Sequence, residues 1–430
     1  MFKKSIIFFI FYINISVILS YEIISISGDD FNDLNSIDDF LPDKLESYFN
    51  LKKPIDPEIL EDSLLQVPEL IKKYGRPSEV HKVETVDGYI LTMHRMPRPG
   101  AKPVFLMHGL LDSSSTWVMM GPDRGFAYML YDLGYDVWMG NARGNHYSRE
   151  HRSISPDKSK FWQFSFHEIG VYDLPAMIDY VLKNTTREKL QYIGHSQGTI
   201  TFWIMCSEKP EYASKIISMN ALAPVAYVSH IRSPIVQVIT FLMKNFARLI
   251  SWIGPDEFLP NSDFLAMVSR VFCKDGALTQ DICSNIIFAI CGYNEHQMNK
   301  TMMPVMIGHT PAGASTKQII HFSQLNRSGK FRQYDYGYIQ NFMKYGSLNP
   351  PEYRLENVRT KVALHYSTND WLADPRDIEK LHQNLPMRIG KFLVDDVDFS
   401  HLDFVWGIDA RPYCYERVVT LMKLVEDGIL

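Results

Sequence analysis

Six short apolar runs punctuate this chain, at residues 104–107, 135–139, 190–194, 216–220, 362–366 and 392–394. Helical patterns lie between several of them, at 126–133, 174–182, 200–207 and 378–385. Each run is too short for a helix and nearly continuous in apolar side chains, the pattern of a strand buried on both faces. Such strands, alternating with helices, are expected to form a mostly parallel α/β sheet with helices on both faces. A hairpin is expected ahead of them, from 80–86 and 89–95 joined at Asp87-Gly88. The last helix is expected over 410–426, with Pro412 in its first turn, where a missing N–H is tolerated.

The alternation stops once. About 140 residues separate the strand at 216–222 from the one starting at 362, where ordinary connections take about 2–6 residues. An inserted domain is therefore expected at 225–358, dividing a core formed by 56–224 and 359–430. Ahead of the core, Lys3 and Lys4 precede an apolar run over 5–19 and then Ser20. That is the layout of an export signal over 1–20, and about 15 apolar residues fall short of the ~20 that span a bilayer. No later segment reaches that length without charge, so no stable transmembrane anchor is expected.

Residues 21–55 hold eight acids against three Lys, an expected acidic extension or pro-segment, and leave 56–430 at a net charge of −2. The whole chain of 430 residues has 44 basic and 49 acidic side chains and no Lys/Arg-rich run, so no nucleic-acid partner is expected. Five Cys are too few for a disulfide scaffold. Export permits glycans, and Asn184-Thr185-Thr186, Asn299-Lys300-Thr301 and Asn326-Arg327-Ser328 fit the acceptor pattern.

Gly194-His195-Ser196-Gln197-Gly198 is the only G-x-S-x-G in the chain, between the apolar run at 190–193 and a helical stretch at 199–207. A sharp strand-to-helix turn needs small residues two before and two after the Ser. It lifts the hydroxyl clear of the sheet and sets the next backbone N–H at a helix N-terminus. Ser196 is accordingly the candidate nucleophile, an N-capping Ser being the plain alternative. A second oxyanion donor is expected after the strand at 104–107, where His108-Gly109-Leu110-Leu111 turns the chain. Leu110 and Gln197 are the two donors, and His108 is read as a buttress of the loop.

A Ser hydroxyl needs a base. Of fourteen His, His401 follows the last expected strand, where the chain order Ser, acid, His puts the base. For the acid, Asp370 and Asp374 both follow the strand at 362–366. Asp374 precedes Pro375 and a helical run, the position of an N-cap. Asp370 is the choice for orienting the imidazole. Metal chemistry is not expected: there is no H-E-x-x-H, and neither a P-loop nor G-x-G-x-x-G.

Several ordered blocks now stand together: Thr85-Val86-Asp87-Gly88-Tyr89, His108-Gly109-Leu110-Leu111, Gly140-Asn141-Ala142-Arg143-Gly144-Asn145, Tyr172-Asp173-Leu174-Pro175, Gly194-His195-Ser196-Gln197-Gly198-Thr199, Leu372-Ala373-Asp374-Pro375 and His401-Leu402-Asp403-Phe404. From about residue 56 to the C-terminus the chain resembles the acid lipase family, which includes gastric and lysosomal lipases. The resemblance implies an α/β-hydrolase fold with an inserted, mainly helical cap and lid. It implies hydrolysis of triacylglycerols or sterol esters without metal or cofactor, in a secreted or lysosomal protein. The family's triad falls on Ser196, Asp370 and His401, and its oxyanion donors on Leu110 and Gln197. Its disulfide falls on Cys273 and Cys283 and its free thiol on Cys291, leaving Cys206 and Cys414 as buried thiols. Expected partners are a lipid substrate and a lipid–water interface, met by a monomer. An esterase of small soluble esters and a non-catalytic lipid binder are the rival readings.

Overall fold

The computed structural model describes residues 55–253, 256–261, 273 and 280–430; the expected export signal and residues 21–54 of the acidic stretch lie outside them. The strands are β1 (Glu79–Glu84), β2 (Tyr89–Met96), β3 (Pro103–Met107), β4 (Asp136–Met139), β5 (Glu150–His151), β6 (Leu190–His195), β7 (Ile216–Leu222), β8 (Glu257–Phe258), β9 (Ala314–Ser315), β10 (Lys361–Tyr366) and β11 (Arg388–Leu393). Their order across the main sheet is β1-β2-β4-β3-β6-β7-β10-β11, with β5 beside β2. Pairing is antiparallel at β1–β2 and β2–β4 and parallel from β4 to β11. This is the α/β-hydrolase architecture. Helices α1 (Pro57–Leu64), α2 (Phe126–Asp132), α3 (Leu174–Thr185), α4 (Gln197–Glu208), α5 (Pro234–Ile253), α6 (Gln280–Cys291), α7 (Met303–His309), α8 (Thr316–Ser328), α9 (Tyr338–Tyr345), α10 (Pro375–Asn384) and α11 (Glu416–Glu426) surround the sheet, with further helical segments at Val67–Lys73, Phe166–Glu168 and Asp403–Trp406.

Strand periodicity builds two cores from one sheet, because successive side chains point to opposite faces. Phe105, Met107 and Tyr192 pack on one face with Leu174, Met177 and Trp203. Val104, Leu106 and Ile193 pack on the other with Trp117, Phe126 and Tyr415. Every residue of β3, β4 and β6 is buried, which is why their sequences read as unbroken apolar runs.

The edges behave differently. The run expected at 392–394 belongs to a strand that starts at Arg388, and its outer position leaves Arg388, Lys391 and Leu393 exposed. An edge strand needs no continuous apolar run, so its first half carried no signal. The first strand stops at Glu84, short of the expected 86, because Thr85 N–H donates to Tyr89 O and opens the turn. The two-residue β5 gave no pattern to read. Over 410–426, a wide turn at Arg411–Tyr415 precedes α11, with Pro412 near its start.

Between β7 and β10 the chain leaves the sheet and forms α5 to α9 and the short β8–β9 ladder. Part of this excursion shares the core beneath it. Met303 and Met306 of α7 join the cluster containing Trp117 and Phe404, and His309 Nε2 donates to Asp62 O of α1 at 3.1 Å. Another part has its own small cluster, Met243, Ile319 and Ile320, against which Leu110, Phe258 and Tyr334 pack. Cys273 and Cys283 are disulfide-bonded, and Cys206, Cys291 and Cys414 are buried free thiols.

Candidate active site

The C-terminal ends of β3, β6, β7 and β10 lie side by side, with Met107 beside Gly194, His195 beside Leu222 and Leu222 beside His365. Ser196 sits at this edge, between β6 and α4, with φ 50° and ψ −115°. A positive φ is costly for a non-glycine residue and is kept only where the surroundings enforce it. Here Ser196 N–H donates to Leu222 O at 3.0 Å and Thr199 N–H to Ser196 O at 2.9 Å. The flanking glycines have a steric cause. A Cβ on Gly194 would lie 2.7 Å from Gly198 O, and one on Gly198 would lie 2.2 Å from Met107 O.

His401 Nε2 is 2.8 Å from Ser196 Oγ, and its Nδ1 is 2.8 Å from Asp370 Oδ2. Asp370 is fully buried and His401 nearly so. The other Asp370 oxygen accepts from the N–H groups of Leu372 and Ala373, both at 2.8 Å. An ionised carboxylate only accepts, so its bond to Nδ1 holds His401 as the Nδ1–H tautomer and leaves Nε2 as the acceptor of the Ser196 hydroxyl hydrogen bond. Asp374 takes a different part: it caps α10 by accepting from Arg376 N–H at 3.0 Å and pairs with the Arg376 guanidinium.

Leu110 is half-buried beside this group, on the turn after β3 where Leu111 has φ 62°. The N–H groups of Leu110 and Gln197 have no acceptor among the described residues, and Gln197 begins α4. His108 is enclosed: Nδ1 donates to Gly109 O at 2.7 Å, and Nε2 accepts from Ala142 N–H and Asn145 Nδ2 at 3.1 and 3.2 Å. Burial lowers its pKa to about 4, so it stays neutral and joins two loops rather than moving protons. Arg143 fixes the second loop, its buried guanidinium held by Asp87 and Asp173.

Two further contributors are not evident in the sequence. The carbonyl of Cys291, ending α6, accepts from Trp371 N–H at 3.2 Å and His401 N–H at 3.4 Å, so one backbone atom holds both the acid loop and the His loop. Next to it, Gly292 has φ +116°, and a Cβ there would lie 2.2 Å from Asn369 O. His195 supports His401 from the other side, Nε2 donating to the His401 carbonyl at 3.0 Å. Burial lowers the His195 pKa to about 3 and keeps it neutral. Cys-Gly after a helical run was the available signal for Gly292, and its partner lies far away in sequence.

Asp403 closes the turn that carries His401. Its Oδ2 accepts from Ser400 N–H at 2.6 Å and from Asn294 Nδ2 at 2.9 Å, and burial raises its pKa to about 6. An unfolded Asp titrates near 3.9. The folded state therefore binds the extra proton between these values, and this contribution to stability is present at low pH and lost as pH rises through about 6. Asp403→Asn removes the titration while keeping an acceptor. Its stability relative to wild type is expected to improve by about 1.4 kcal/mol per pH unit from pH 4 to 6 and then level off. Urea unfolding across pH checks this, and a flat difference would contradict it.

Among the described residues, no group of three His, Cys, Asp or Glu is placed to hold a metal, and no helix is long and apolar enough to cross a membrane. Residues 102–408, well over half the chain, match the family described as alpha/beta hydrolase fold, and residues 67–121 match a partial alpha/beta-hydrolase lipase region. Lipase 1 of Drosophila melanogaster is 46% identical over 371 residues, covering 86% of this chain and 82% of that protein. Gastric triacylglycerol lipase of Mus musculus is 38% identical over 83% of this chain and 91% of its own length. Lysosomal acid lipase/cholesteryl ester hydrolase of Homo sapiens is 37% identical over 86% and 92%. A solved structure from Sulfolobus solfataricus, 11% identical over 80% of this chain and 93% of that one, shares the fold at a TM-score of 0.57. With relatives of this identity along most of their length, the chain belongs to the acid lipase family of α/β-hydrolases.

Proposed function

We propose that the protein hydrolyses carboxylic esters of neutral lipids, triacylglycerols or sterol esters, through an acyl-enzyme on Ser196. The observation that carries this reading is the aligned chain Ser196–His401–Asp370, with both contacts at 2.8 Å. His401 Nε2 takes the Ser196 proton as Oγ attacks the ester carbonyl, and Asp370 stabilises the imidazolium that forms. The carbonyl oxygen becomes an oxyanion held by the N–H groups of Leu110 and Gln197, each worth on the order of 3 kcal/mol in the barrier. His401 then protonates the departing alcohol, and water, deprotonated by the same imidazole, releases the fatty acid.

The cluster of Met243, Ile319 and Ile320 against Leu110 supports an acyl chain as the substrate's non-reacting part, because it sets apolar surface beside a proposed oxyanion donor. Residues 225–358 act as the cap over the core of 56–224 and 359–430. Relatives named as gastric and lysosomal lipases support a secreted or lysosomal site of action. Asn184 is exposed, Asn299 is half-buried with its Oδ1 accepting from Met302 N–H, and Asn326 is half-buried with its Nδ2 donating to Val228 O. All three are proposed glycan sites, Asn184 the most open of them.

Turnover of emulsified triolein, emulsified cholesteryl oleate and a dissolved short-chain ester tests the substrate class. Activity on at least one emulsion is expected to exceed activity on the dissolved ester. Activity confined to the dissolved ester would contradict the lipase reading and assign a carboxylesterase.

A further inference from the structure

The helix α9 is built inside out. Tyr338, Ile339, Phe342 and Met343 are 72, 79, 61 and 80% exposed; their spacing of one, three and one puts them on one helix face. Asn341 is the residue of the helix that turns inward: it is buried, its Nδ2 donating to Asp335 Oδ1 and Leu348 O and its Oδ1 accepting from Tyr336 N–H. These bonds fix the helix with its apolar side toward solvent. Two of the four are aromatic, at roughly 150–250 Å² of side chain each; with Ile339 and Met343 beside them the exposed area reaches several hundred Å², as much as the largest patch on an ordinary soluble protein, and such patches mark interaction sites.

Two observations indicate what covers the patch. The first is continuity with the proposed acyl-binding side. Tyr334 packs against the cluster at Leu110; its ring lies 4.8 Å from Tyr336, and Tyr336 lies 6.1 Å from Tyr345 of α9. An aromatic path thus runs from the cluster to the exposed helix. The second is charge. Residues 336–351 contain no Asp or Glu, and their one charged residue is Lys344, exposed and set 4.3 Å over the Tyr336 ring, where Lys317 also sits at 5.1 Å. Apolar side chains flanked by Lys and a Tyr suit the boundary of an anionic lipid surface, where aromatic rings and Lys stems lie at headgroup depth.

We infer that the exposed face of α9 docks the protein onto a lipid surface bearing negative charge, on the side joined by that aromatic path to the cluster at Leu110. This rests on the proposed function and adds to it a recognition surface separate from Ser196. The test uses the full chain carrying Ser196→Ala, so that binding is read without hydrolysis, and vesicles of phosphatidylcholine containing oleic acid. The added changes Ile339→Ser, Phe342→Ser and Met343→Ser are expected to weaken co-sedimentation with the vesicles at least tenfold. On the active chain, the same changes are expected to lower triolein hydrolysis similarly and leave turnover of a dissolved short ester unchanged. Should the triple variant fold poorly, Lys344→Glu replaces it, with a severalfold loss of co-sedimentation expected. Equal co-sedimentation with and without the changes would overturn the inference. So would a wild-type dimer that the triple variant splits, which would assign the face to a second copy. Co-sedimentation that depends on α9 in a chain with no esterase activity would support the docking face and refute the hydrolase reading instead.

Discussion

Replacing His401 with alanine is expected to lower kcat on a dissolved ester by about 10⁴-fold or more, with KM little changed. The size follows from the geometry. Ser196 Oγ has His401 Nε2 at 2.8 Å as its acceptor, and a serine hydroxyl is a weak nucleophile until its proton is removed. In the proposed mechanism His401 acts in both halves of the reaction, so its loss is expected to block acylation and deacylation alike. The loop is held through the His401 backbone, by its bond to Cys291 O and the bond from His195 Nε2, and neither involves the imidazole. Loss of activity is therefore expected without loss of fold, and circular dichroism beside the kinetics separates the two. Asp370→Ala is expected to cost one to two orders of magnitude less than His401→Ala. A His401→Ala enzyme within tenfold of wild type would remove the residue from the mechanism.

The second large effect is steric. Gly198→Ala is expected to lower kcat/KM at least ~100-fold and to reduce stability by more than the ~1–3 kcal/mol of ordinary overpacking. The new Cβ would lie 2.2 Å from Met107 O and 2.9 Å from His108 O. Those atoms are backbone at the end of β3, so relief requires β3 and α4 to part. That movement would displace the turn bearing Leu110 from Gln197, the two proposed oxyanion donors. Gly390→Ala provides the contrast: the nearest atoms to its Cβ would be those of the Phe392 side-chain ring, at 3.2 Å and beyond, and near-wild-type activity is expected. Thermal melting and steady-state kinetics on both variants check this, and a Gly198→Ala enzyme of normal activity would contradict it.

How much of this could be read in the sequence depended on burial. The central strands β3, β4 and β6 are wholly buried, so solvent imposed no alternation and the runs stood out. The turn at Ser196 was readable because crowding admits only glycine at 194 and 198. Asp374 was separable from Asp370 because Pro375 marks a helix start, and the cap bond to Arg376 N–H lies there. Contacts made by backbone atoms across long separations left no such trace. The carbonyl of Cys291 joins residues 371 and 401, yet a carbonyl has no sequence identity. Only Gly292, with its positive φ and its closeness to Asn369 O, hinted at the junction. The outward apolar face of α9 was also hidden, since Tyr338, Ile339, Phe342 and Met343 have the spacing of an ordinary buried stripe. Which way that stripe points is set by Asn341 on the other side.

The most direct measurement is covalent labelling with a fluorophosphonate, followed by intact mass and peptide mapping. One adduct per chain is expected, on the peptide carrying Ser196, absent from Ser196→Ala and strongly slowed in His401→Ala. Labelling that persists in Ser196→Ala at the wild-type rate would place the nucleophile elsewhere and contradict the mechanism.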